Sequence, residues 1–166
     1  MAALYGVCIS DFPPLLFRPL LEFVNNKEKI LKLHFDKDKL RSLVGELLLK
    51  KIIITLFNVP CEEIEIARDE YGKPFLLSPL INLEFNISHA GDWVVVAIDS
   101  TEIGIDIEQI VTINLDIAER FFTQEEYKYI ANQRLQEHKN ERFFRIWTMK
   151  ESYIKGGGKG VVDTTE

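Results

Sequence analysis

The chain has 166 residues and a formal net charge of -6, a length that suits one domain or two small halves. Its apolar and charged content is that of an ordinary soluble protein, and the acidic balance excludes a general attraction to nucleic acid or to anionic membrane. Cys8 and Cys61 fit neither a disulfide framework nor a zinc site, which predicts a reducing cytoplasm, and the start "MAALYGVCIS" does not read as a signal peptide.

In chain order, residues 3–9 predict a short strand. Residues 13–24, "PPLLFRPLLEFV", carry apolar residues at helical spacing after a proline start, with Pro19 set to kink or interrupt them. Residues 26–35 predict a second helical piece. From Asp36, "DKDKLRSLVGELLLKKIIITLF" predicts a long helix, buried towards its end, whose apolar run is too short to span a bilayer. Ile64 and Ile66 alternate with Glu63 and Glu65, a strand pattern, and "DEYGKP" is a turn broken by Gly72 and Pro74. "NLEFNIS" and "WVVVAID" predict strands joined by the tight turn "HAGD".

"EIGIDIEQI" follows, with Ile103, Ile105 and Ile107 on one side and Gly104, Asp106 and Glu108 on the other, again the period of a strand. After it come a short helix in "NLDIAERFF" and a helix from Thr123, where Glu126 three residues on completes a capping box. A last helix, "NERFFRIWTMKESYIK", is ended by "GGGKG". Residues 1–101 thus run strand, helices, strands. Residues 102–166 run strand and helices without closing strands, which reads as a second half cut short.

Two carboxylates side by side on one strand face repel each other, and a divalent cation with oxygen ligands would make Asp106 and Glu108 favourable. A solvated outer face would show the same pattern. Trp147, Glu151 and Lys155 share one helical stripe, so Glu151 can add a third carboxylate and Lys155 can meet a phosphate oxygen; a plain surface Glu–Lys pair is the other reading. Ser88 and His89 sit at a strand end beside Gly91, a usual place for ligand contacts.

"EYGKP", "FNISHAGDWVVVAID", "IGIDIE", "RFF" and "WTMKESYIK" occur in that order. Together they resemble the 4'-phosphopantetheinyl transferases, specifically the surfactin-synthetase type built from two similar halves. The resemblance runs from the N-terminus to about Lys159. It implies an α+β fold of two pseudo-twofold halves, here 1–101 and the start of the second at 102–166, with coenzyme A in the cleft between them. It also implies Mg2+-dependent transfer of the phosphopantetheine arm from coenzyme A to a serine of an acyl or peptidyl carrier protein, with Mn2+ as an alternative ion, in a cytoplasmic monomer.

By motif, Asp106, Glu108 and Glu151 resemble the metal ligands, and His89 and Lys155 the contacts to the coenzyme's phosphates. Tyr71, Gly72, Lys73 and Pro74 resemble the loop that holds the adenine, with Ser88 beside it. The family binds the ribose phosphate through lysines before the long helix and a threonine inside it. Lys29 matches one lysine and Ser42 the threonine; the other lysine falls at Asn26 or Lys27, with Arg41 a neighbour. Glu151, or a metal-bound water held by it, is the candidate base. Phe121, Phe122 and Tyr127, with Arg120 and Lys128, are the expected docking surface for the carrier. Relatives continue "GKGL" into a proline-containing loop and further strands, where this chain has "GGGKGVVDTTE". Two alternatives follow: a truncated, inactive relative that binds coenzyme A or carrier, and a metal-dependent phosphoesterase.

Overall fold

Apolar alternation in the first hundred residues builds two antiparallel sheets around one long helix. The computed structural model describes residues 2–70 and 72–157. Strands β1 (Ala3–Cys8), β4 (Glu84–Ala90) and β5 (Trp93–Asp99) form one sheet in the order β1-β5-β4, and β2 (Glu65–Arg68) and β3 (Pro74–Ser78) form a second, two-stranded sheet. β4 and β5 pair with Ala90 opposite Trp93, so Gly91 and Asp92 close the hairpin, and Gly91 takes the positive φ of 56° that the turn demands.

Residues 13–24 do not make a continuous helix. They form short helical turns around α1 (Phe17–Leu20), as a proline inside the segment requires. α2 is Lys27–Lys32 and α3 is Asp36–Phe57, the latter as its pattern predicts; Asn58, at φ 53°, ends α3 and returns its N–H to the Ile54 carbonyl. α3 lies on the sheet. A Cβ on Gly45 would come within 3.1 Å of Ile87, which marks how closely α3 and β4 approach. Leu49, Ile52, Ile53, Ile64, Phe85 and Val96 close this core.

The C-terminal part has its own cluster. α4 (Leu115–Phe121), α5 (Gln124–Ala131) and α6 (Gln136–Gly156) bury Ala118, Phe122, Ile130 and Phe143 against one another. The Thr123–Glu126 capping box forms as predicted, but α5 stops at Ala131 and α6 begins four residues earlier than its pattern suggested. Trp147 stacks on Phe143, with ring centroids 5.8 Å apart, so the Trp147 stripe is covered. Phe122, expected on a docking surface, is instead 9% exposed, and Tyr127 packs against the same cluster; Phe121 is 47% exposed. An aromatic pair at adjacent helix-end positions points in two directions, and only one can reach the core.

The segment "EIGIDIEQI" is not a strand of either sheet. Its N–H groups are met by side chains: Ile105 donates to Asn86 Oδ1 at 3.0 Å and Ile107 to Ser88 Oγ at 3.3 Å. A period-two sequence shows which residues share a face, but a ladder also needs a partner backbone. Among the described residues, no helix is long and apolar enough to cross a membrane.

Candidate active site

Strand β4 divides the site in two through its own alternation. Ile87 and His89 point to the α3 side and line a cavity of about 190 Å³ together with Lys29, Arg41, Ser42 and Pro74. Asn86 and Ser88 point the opposite way, are buried, and hold the segment of residues 105–107. One strand therefore carries both a cavity wall and the anchor for Asp106.

The cavity gathers Lys29, Ser42, Pro74 and His89 from four separate stretches of the chain. Lys27 is not among them. It pairs with Glu22 and lines a different groove with Phe17 and Leu31. Arg41 is anchored by three bonds, two to the Gly91 carbonyl at 3.0 and 2.6 Å and one to Asp38 at 2.8 Å. Two further lining residues escaped the motif reading. Arg68 ends β2 and donates to the Gly72 carbonyl at 2.7 Å. Glu46 is buried and accepts from the Asn25 N–H and from Asn26 Nδ2, which ties the start of α2 to α3. Ser42 and Glu46 are four apart on α3, a spacing that could have found Glu46 from Ser42.

In the turn before β3, Gly72 has φ 83° and donates to the Asp69 carbonyl at 3.0 Å. Lys73 returns its N–H to Asp69 Oδ1 at 2.8 Å, while its ammonium reaches the Gly156 carbonyl at 3.3 Å. Tyr71 lies outside the described residues.

Asp106 is the centre of the other side. Its side chain is 3% exposed, and Oδ1 accepts from Ser88 Oγ at 3.0 Å and from the Lys155 ammonium at 2.5 Å. Oδ2 is buried and, among the described residues, is the one such side-chain atom with no hydrogen-bond partner. What brings Lys155 there is a glycine crossing. A Cβ on Gly104 would fall 1.8 Å from the Ser152 carbonyl oxygen and 2.4 Å from the Gly156 nitrogen, so the last turn of α6 lies directly on the backbone of residue 104. No residue but glycine allows that approach.

Burial pushes the Glu108 carboxyl above its ordinary range, and repulsion from Asp106 and Glu151 adds to this, while Lys155 and the Trp147 indole favour its charged form. Asp106, Glu108 and Glu151 thus share one electrostatic neighbourhood. Among the described residues, however, no three His, Cys, Asp or Glu side chains are drawn together as a ready ligand set. The donors still fit a hard divalent cation: they are carboxylate oxygens, and Asp106 Oδ2 is a buried acceptor lacking a donor.

Comparison with known proteins follows the same division. Residues 17–101 match the family model "4'-phosphopantetheinyl transferase, N-terminal", and residues 102–166 match "4'-phosphopantetheinyl transferase superfamily". The chain belongs to the 4'-phosphopantetheinyl transferase family. It is 47% identical over 125 residues to the 4'-phosphopantetheinyl transferase gsp of Aneurinibacillus migulanus, a match covering 75% of this chain and 51% of that protein. It is 40% identical over 144 residues to ffp of Bacillus subtilis, covering 86% of this chain and 63% of the relative. With Sfp of Bacillus subtilis strain 168 it shares 39% over 135 residues, covering 81% and 59%. The chain therefore spans between 51% and 63% of the length of these relatives.

In this family member, burial holds the His89 imidazole below its ordinary value of 6.5, and the neighbouring Arg41 and Lys155 charges act in the same direction. His89 is then neutral at pH 7 and can offer one N–H rather than a charge. The unfolded chain takes up this proton at higher pH than the folded one, so His89 makes stability fall as pH drops through and below 6.5. An NMR titration of the imidazole should give a midpoint below 6.5, and a midpoint at or above that value contradicts this.

Proposed function

We propose that this chain carries the coenzyme A and metal sites of an enzyme that transfers the 4'-phosphopantetheine arm from coenzyme A to a serine of an acyl or peptidyl carrier protein, releasing adenosine 3',5'-bisphosphate. The observation that carries the reading is the buried Asp106 carboxylate, with one oxygen on Lys155 and the other unpartnered, behind a strand whose opposite face lines a cation-rich cavity. Asp106, Glu108 and Glu151 would hold Mg2+ or Mn2+, which when bound neutralises a diphosphate and polarises the phosphorus under attack.

The chain's own residues take the remaining roles. Lys29 and Ser42 hold the ribose phosphate, and Arg68 stands ready to join them. His89 donates a hydrogen bond to a phosphate oxygen. Tyr71, Gly72, Lys73 and Pro74 frame the adenine, a reading supported by the place of Pro74 in the cavity wall. Lys155 stabilises the negative charge that grows on the departing phosphate. The carrier serine oxygen forms a bond to the phosphorus that bears the arm, the phosphorus–oxygen bond to the adenosine bisphosphate breaks, and a water held by Glu151 accepts the serine proton. Ser88, whose hydroxyl is engaged by Asp106 and Ile107, is assigned to positioning that carboxylate.

The two halves are read as 1–101 and the start of a second at 102–166. The family matches meet at that point, and separate apolar clusters on either side support it. The carrier is placed on α4, where Ile117 and Phe121 are exposed beside Arg120. The reading is of a cytoplasmic monomer.

Incubating the chain with apo carrier protein, coenzyme A and Mg2+ should add the mass of the arm to the carrier. Release of adenosine bisphosphate without carrier would mark a phosphoesterase instead. Coenzyme binding with neither product would mark a binding protein.

A further inference from the structure

The Lys155 ammonium lies 2.5 Å from the Asp106 carboxylate, a side chain only 3% exposed. Asp106 cannot follow it away. Its other contacts are to Ser88, on the sheet, and its own segment is tied to β4 by the N–H bonds of Ile105 and Ile107. Lys155 is freer. Its side chain is 32% exposed, and it is carried on a long flexible stem in the last turn of α6.

We infer that Lys155 is an exchangeable counter-ion: it neutralises Asp106 until a divalent cation and a diphosphate arrive together, and it moves to the diphosphate when the metal takes its place. This rests on the reading of Asp106 as a metal ligand. A divalent ion at Asp106 and an ammonium on the same carboxylate repel each other, so a metal binding alone must expel Lys155 from an ion pair into water. With a diphosphate present, the expelled ammonium gains an anionic partner. Metal and coenzyme A must then strengthen each other's binding by one common factor, because coupling between two ligands is reciprocal.

The test is binding, without turnover. Mn2+ affinity of the 166-residue chain is read by electron paramagnetic resonance with and without saturating coenzyme A, corrected for Mn2+ held by coenzyme A in solution. Coenzyme A should tighten Mn2+ by about tenfold or more, within the usual range of such couplings. Lys155→Met should tighten Mn2+ in the absence of coenzyme A by about the same factor and remove most of the coenzyme effect. Lys155→Gln is the second variant, with circular dichroism confirming the fold of each. Equal Mn2+ affinity with and without coenzyme A in the parent chain overturns the inference by itself, whatever the variants do. So does an unchanged affinity in Lys155→Met and Lys155→Gln. Asp106→Asn separates the two ideas: if it leaves Mn2+ binding intact, the metal reading of Asp106 is what fails.

Discussion

Asp106→Ala should abolish the mass gain on the apo carrier and the affinity for Mg2+ in the same variant, while the protein stays folded. The functional side follows from position. Asp106 offers the one buried oxygen in the described site that lacks a donor, and it is also the partner of Lys155. Removing a preorganised charge-stabilising group costs about 10²–10³ in turnover, and a ligand that also orders its neighbours should lie at or above the top of that range. On the stability side, removing one partner of a buried ion pair costs about 3–5 kcal/mol when the other charge is left buried; the Lys155 side chain is 32% exposed and can turn to water, which lowers that cost. The Ser88 hydroxyl loses an acceptor, a cost of about 1 kcal/mol. The change also removes one source of the raised Glu108 pKa, so the Glu108 carboxyl should titrate lower in the variant. Retained transfer, or a protein that simply fails to fold, would contradict this account.

Gly104→Ala should detach the end of α6 from the carboxylate segment. The added Cβ would overlap the Ser152 carbonyl oxygen at 1.8 Å and the Gly156 nitrogen and Cα at 2.4 and 2.9 Å, all backbone atoms that cannot rotate aside. Overpacking of this kind costs about 1–3 kcal/mol and sometimes more. Here the relief must come from moving residues 103–107 or the turn that bears Lys155. Thermal unfolding should show the loss, and coenzyme A affinity should fall with it, because the crossing holds the turn that bears Lys155 within reach of the diphosphate site. Gly156→Ala is the matched control. Its Cβ would meet the Gly104 nitrogen at 3.3 Å and the Ile103 carbonyl carbon at 3.6 Å, a contact that a shift of a few tenths of an ångström relieves. If the two alanine variants lose equal stability, the crossing is not the hinge of the site.

The residues of one half of the site were legible because they follow local rules. The α3 pattern placed Ser42 on a helix, and the i, i+4 spacing placed Trp147, Glu151 and Lys155 on one stripe; His89, read as the start of the turn "HAGD", instead lies on β4, which runs to Ala90. β3 went unread, since a strand beginning at Pro74 looks like the rest of a turn. Arg68 gave no signal, as a single charged residue at a strand end carries no pattern until a cavity forms around it, whereas the i, i+4 relation to Ser42 was available to point to Glu46.

By itself, then, the amino-acid order determined the family, the long helix, the strands of residues 3–9, 82–88 and 93–99, and the residue types needed for a metal and a diphosphate. The tertiary structure alone decided that Lys155 pairs with Asp106 rather than with Glu151 on its own helix, and that "EIGIDIEQI" hangs from side chains of β4 instead of joining a ladder. The physical reason is the distance along the chain. Periodicity reports which side chains share a face within one element, whereas a contact between residues 106 and 155 depends on how closely two backbones can approach, and that approach is granted by the missing side chain of Gly104.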